Sequence, residues 1–204
     1  NAFALGARAV NAKATVSVVY TGVEQSEKAE EEAVRTLAKA GCDTLLQLTW
    51  DNTVCTAAKA LDMKVCSLYT QPTDDDDTLL FGVLPMLQNV FSDRLNSMLY
   101  KDTAAYENAF LGYADKALQC TENGAVGELN LHDPLTAVQK RFLSGFDVFC
   151  GKTLTVSGMS CQETAADVND KNGQKRIAAG TPLDDAAVKS MDCYISGVEV
   201  LTVQ

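Results

Sequence analysis

The chain has 204 residues, a hydrophobic fraction of 47% and a formal net charge of −10, enough apolar material for one large domain or two small lobes. The acidic balance excludes nucleic acid as a partner, because phosphate binding needs clustered Lys and Arg. The longest apolar runs, such as residues 79–84, are far too short to cross a bilayer, so no transmembrane segment is expected in this chain.

The first element is an amphipathic helix. Phe3, Ala7 and Val10 fall at i, i+4 and i+7, and Leu5 and Ala9 widen that apolar side. Asn1 is the residue placed to cap it. No initiator Met or leading turn precedes it, so the expectation is a chain that starts within a fold. Val16, Val18 and Val19 with Tyr20 read as a buried strand. Ser26 then caps a helix whose acidic first turn suits its positive end. Glu31 and Arg35 sit at i,i+4, Val34, Leu37 and Ala38 face inward, and Gly41 ends it.

Residues 44–49 read as a strand, 53–61 as a short helix, 64–69 as a strand and 79–84 as another. Leu87, Val90, Phe91, Leu95 and Met98 mark a long amphipathic helix. Such alternation predicts parallel pairing through right-handed crossovers. Ligands of such sheets sit beyond the carboxyl ends of the strands, which selects residues 22–25, 50–53 and 69–71.

The second half is less regular. Asn123-Gly124 reads as a turn into a strand over 125–131. Asp133-Pro134 opens a helix that Gly145 closes, and 147–156 reads as a strand. Asn172-Gly173 signals a two-residue hairpin, Asp184 or Asp185 starts a last short helix, and 194–203 is a final apolar stretch.

Chemical motifs are few. Seven cysteines point to a secreted, lumenal or cell-surface setting, and the odd number leaves at least one thiol outside any internal pair. Without CxxC or HExxH, and with His132 as the single histidine, no metal site or cofactor is expected. The run 74–77 reads as a solvated loop rather than a calcium site, because adjacent carboxylates repel and no EF-hand spacing is present. Trp50 reads equally as a stacking platform or as a wedge between sheet and helix. No nucleophile, base and acid constellation stands out, so no enzyme is expected.

Three segments carry a resemblance: NAFALGARAVNAKATVSVVYTG at the start, ENGAVGELNL over 122–131, and the tail FDVFCG with NGQKRIAAGTPLDDAAVKSMDCYISGVEV. In this order they resemble the basic membrane protein family, the PnrA-like purine-nucleoside-binding lipoproteins of bacterial ABC importers. The resemblance implies an α/β, type I periplasmic-binding-protein-like fold: a parallel sheet lobe with helices on both faces, and a first lobe incomplete in this chain. It divides the chain into 1–85, the second-lobe core, and 86–204, the rest of that lobe with segments returning to the missing one. Other protein chains or a missing N-terminal lobe are the implied partners.

The resemblance breaks at the pocket. Val23 and Glu24 stand where the family carries an aromatic, Tyr69 and Gln71 occupy its ribose-binding turn, and Pro85 falls near its lysine. The family's nucleoside contacts are therefore not carried over. The candidate ligand residues are Trp50, Asp51, Asn52, Tyr69, Gln71 and Glu24. Cys150 and Cys161 bracket an insertion relative to the family pattern and are expected to form a disulfide, stabilising by roughly 2–3 kcal/mol through lost chain entropy. Two functions fit: a small-molecule binding module of changed specificity, or a structural subunit whose old cleft is filled.

Overall fold

The computed structural model describes residues 1–73, 76–100, 111–113, 115–129, 132–143, 146–147, 152–153, 167–179 and 185–203. The chain forms two compact units, residues 1–42 with 140–204, and residues 43–139. The cuts differ from the division at residue 85, because strand pairing continues across that position in the second unit.

The first unit is built on a parallel pair, β1 (Val16–Val19) with β10 (Val198–Leu201). Helix α1 (Ala2–Val10) adds Ala4 to a core with Val168, Ile177, Ile195 and Val198. The apolar side is thus centred on Ala4, wholly buried, while Phe3 is partly exposed. A methyl group lets the helix sit close on this core where a phenyl ring would hold it away.

Asn1 occupies the cap position, but its side chain does not cap. Its Oδ1 accepts from the Ile195 amide at 3.1 Å and its Nδ2 donates to the Cys193 carbonyl at 2.6 Å. The residue ties α1 to the chain's far end. Strand β1 is half-buried rather than buried, since β10 is its one partner among the described residues.

Helix α2 (Glu27–Lys39) follows its local signals. Ser26 Oγ accepts from the Ala29 amide, and Arg35 meets Glu31 at 2.8 Å. At its end Gly41 takes φ +85°, with the Gly41 amide on the Ala38 carbonyl and the Cys42 amide on that of Leu37. This double bond pattern is a Schellman stop.

The hairpin of β8 (Val168–Asn169) and β9 (Lys175–Ile177) turns at Gly173, φ +80°. The Gly173 amide reaches the Asp170 carbonyl and the Asp170 amide that of Gln174, so the loop holds three residues instead of two. The expected strand over 147–156 is instead an antiparallel pair, β6 (Phe146–Asp147) with β7 (Lys152–Thr153). Helix α7 (Asp185–Lys189) forms as expected.

The second unit holds a four-stranded sheet in the order β2 (Thr44–Gln47), β3 (Lys64–Leu68), β4 (Leu79–Pro85), β5 (Leu118–Glu122). The first three strands run parallel, and β5 is antiparallel to β4. Helix α3 (Thr53–Lys59) links β2 to β3 and buries Val54, Cys55 and Ala58. Helix α4 (Leu87–Leu99) follows β4, and α6 (His132–Leu143) begins in this unit, with its residues from Lys140 onward counted in the first.

The strand expected over 125–131 is not formed: Ala125–Glu128 is a helical turn, α5, and the strand precedes it as β5. Asn123 explains this. Its buried side chain donates to the carbonyls of Asp76 and Leu79 and accepts from the Ala125 amide, so Asn123-Gly124 is a strand-to-helix junction.

Candidate functional site

Strands β2 and β3 pair in register, with Gln47 opposite Ser67, so the segments after them leave the sheet at one edge. There Trp50 and Tyr69 stack, ring centroids 3.9 Å apart and planes 13° from parallel. Trp50 is 72% exposed, so it is not a wedge buried between sheet and helix. Tyr69 has φ +87° and its amide donates to the Val83 carbonyl at 3.0 Å. Left-handed backbone at a non-glycine residue costs about 1–3 kcal/mol and persists only where neighbours impose it; here β4 does so.

The loop carrying Trp50 is anchored by Gln47, which sequence reasoning missed. Its side chain is 2% exposed. Its Nε2 donates to the Thr49 carbonyl and hydroxyl and to the Asp51 carbonyl, and its Oε1 accepts from the Cys55 thiol at 3.3 Å. Burial, with the carboxylates of Asp76 and Asp51, pushes that thiol up to about 11, so it stays a donor. The signal was a polar residue, Gln47, buried at the end of strand TLLQ directly after Leu45 and Leu46.

The loop carrying Tyr69 is held by a close approach. A Cβ at Gly82 would lie 2.5 Å from the Thr70 carbonyl oxygen and 2.9 Å from Pro72 Cδ. Only glycine on β4 lets residues 70–72 settle over the sheet. The Thr70 hydroxyl is buried and has no hydrogen-bond partner among the described residues.

The other expected residues divide. Asp51 Oδ1 accepts from the Thr53 amide at 2.9 Å, so that oxygen helps start α3. Asn52 and Gln71 are exposed at the same edge. Glu24 is exposed in the first unit, after Gly22 at φ +72°. Pro85 ends β4 opposite Leu118. His132 is a surface residue whose Nδ1 lies 2.6 Å from Glu122 Oε1.

Among the described residues no group of three His, Cys, Asp or Glu side chains is arranged to hold a metal. Of the acidic run, Asp76 pairs with Lys59 and Asp77 with Lys64, as suits a surface loop. Cys150 and Cys161 lie outside the described residues. Cys42, Cys55, Cys66, Cys120 and Cys193 are free thiols. No described helix is long and apolar enough to cross a membrane.

No protein-family model matches the chain, and no curated protein matches it. Among solved structures it is similar to an ABC transporter system solute-binding protein from Conexibacter woesei, with 22% identity and a TM-score of 0.54. The match covers 69% of this chain and 48% of that one, so the chain spans about half of that protein's length. What the likeness establishes is the fold: a mixed α/β chain with parallel-dominated sheets, of the kind found in a solute-binding protein.

Proposed function

We propose that this chain is a non-enzymatic, PnrA-like solute-binding module whose pocket has changed specificity. The observation that carries the reading is the exposed Trp50–Tyr69 stack at the carboxyl edge of a parallel sheet, where this architecture places its ligands. A flat ring or a sugar face packs on the open side of the indole, and the exposed amides of Asn52 and Gln71 supply polar contacts. A small-molecule ligand and a secreted or cell-surface location accord with the solute-binding fold.

Purine nucleosides bind weakly or not at all. Hydrogen bonds that ribose hydroxyls donate to carboxylates contribute about 1.5–3 kcal/mol each, and Tyr69 and Gln71 offer no carboxylate for them. Trp50 is the chain's single tryptophan, so its fluorescence reports on the site directly. Titration with adenosine, guanosine, inosine and a panel of mono- and disaccharides is the test. The expected result is no sub-micromolar nucleoside binding, and quenching by a non-nucleoside whose binding, read by calorimetry, is lost in Trp50→Ala. Sub-micromolar affinity for any of the nucleosides, or calorimetric binding of the non-nucleoside undiminished in Trp50→Ala, would overturn the reading.

A second reading, a structural subunit, is favoured by one observation. Strands β1 and β10 each pair on one side only among the described residues, which leaves edges that another polypeptide can cover.

A further inference from the structure

Helix α4 is amphipathic, yet among the described residues it buries none of its side chains. Leu87, Phe91, Leu95, Met98 and Leu99 are between 47% and 71% exposed. Four of them, Leu87, Phe91, Leu95 and Leu99, recur every fourth residue and form one continuous ridge. Of the helix's two charges, Asp93 lies on the opposite side and Arg94 borders the ridge, three residues from Phe91 and four from Met98.

We propose that this ridge is the contact between two copies of the chain, packed antiparallel about a two-fold axis near position 93. The spacing carries the argument. Reversed end for end, the ridge superposes on itself: Leu87 meets Leu99 of the second copy, and Phe91 meets Leu95. A two-fold contact requires this reciprocity, in which residue i touches j and j touches i. Ridges at four-residue spacing are also those that interdigitate in the commonest class of helix packing.

The area fits a weak dimer. Taking ~150 Å² for a large apolar side chain, the five side chains at their observed exposure offer roughly 450 Å² per copy. Two copies bury at most about 900 Å², the range of weak, transient contacts rather than of stable interfaces. A lipid surface is disfavoured as occupant, because the helix has no basic face and the chain is acidic.

The test is sedimentation equilibrium of the whole chain up to about 200 μM, for the parent, Phe91→Glu, Leu95→Lys and an equal mixture of the two variants. Far-UV dichroism and thermal transitions establish that each variant is folded. The parent is expected to dimerise and each variant alone to stay monomeric, its association weakened at least tenfold. The mixture is expected to associate again, because the new carboxylate faces the new ammonium while Leu95 and Phe91 of the opposite pair are unchanged. A monomeric parent, variants as associated as the parent, a mixture that stays monomeric, or flotation with zwitterionic vesicles in place of self-association would each overturn the proposal.

Discussion

Asp170 shows how much one buried carboxylate organises. Its side chain is 3% exposed; Oδ1 accepts the amides of Asn172 and Gln174, and Oδ2 accepts Arg176 Nε at 2.9 Å. Burial alone raises such a carboxyl, but the Gln174 amide, the guanidinium and the Asn172 amide outweigh it and hold Asp170 below the ordinary range. A depressed carboxylate contributes stability that is present above its unfolded value, about 4, and lost as pH falls through the lower folded value. Asp170→Asn is therefore expected to lower the urea midpoint at neutral pH, with the gap to the parent narrowing in acid as the carboxylate of the folded parent takes up its proton. An equal gap at neutral and acid pH would refute the assignment. Gly82 offers a steric counterpart. In Gly82→Ala the new methyl meets the Thr70 carbonyl, Pro72 and the Thr121 hydroxyl, and the expected loss is about 1–3 kcal/mol in denaturant unfolding. The 69–72 loop shifts with it, so quenching of Trp50 by a bound ligand weakens as well.

At the scale of elements, legibility follows the range of the forces. Helix α2 was readable from cap to stop because Ser26, the Glu31–Arg35 pair and Gly41 each act within one or two turns. Its stop yields a clean prediction. Nothing lies within 4 Å of a Cβ at Gly41, so Gly41→Ala loses only the left-handed backbone preference. About 1 kcal/mol is expected, read as a lowered thermal midpoint with an unchanged fold. Loss comparable to that of Gly82→Ala at its upper limit would mean a contact is broken as well. Helix α4 was readable as amphipathic, but nothing local says whether an apolar stripe is covered. Strand β5 was not readable: LQCTE is short and poor in β-branched residues, and it forms because β4 offers an antiparallel edge.

For the whole molecule, strand order sets where stability resides. Strands β3 and β4 are paired on both sides, while β1 and β10 each have one partner among the described residues. Amide hydrogen exchange of the isolated chain is expected to be slowest in β3 and β4 and distinctly faster in β1 and β10. Equal protection in β1 and β10 would mean that another part of the chain or a second copy covers their open edges, and slowing there only when a partner polypeptide is added would favour the structural-subunit reading.

Local signals alone specify much of this chain. Periodicity sets α2, α3 and the run of parallel strands, with Ser26 and Gly41 bounding α2, and the rule for parallel sheets picks out residues 50–53 and 69–71 at the carboxyl edge. Long-range contacts set the rest. The pairing of β1 with β10 joins segments about 180 residues apart, the rotation of α1 onto Ala4 follows from a core supplied by the far end of the chain, and Asn1 spends its amide on Cys193 and Ile195. The same holds at the site. Trp50 and Tyr69 were each legible as strand-end residues, but their stacking depends on Gln47 anchoring one loop and on Gly82 and Val83 holding the other. Such choices rest on groups distant in sequence, whose proximity exists only once the sheet has formed.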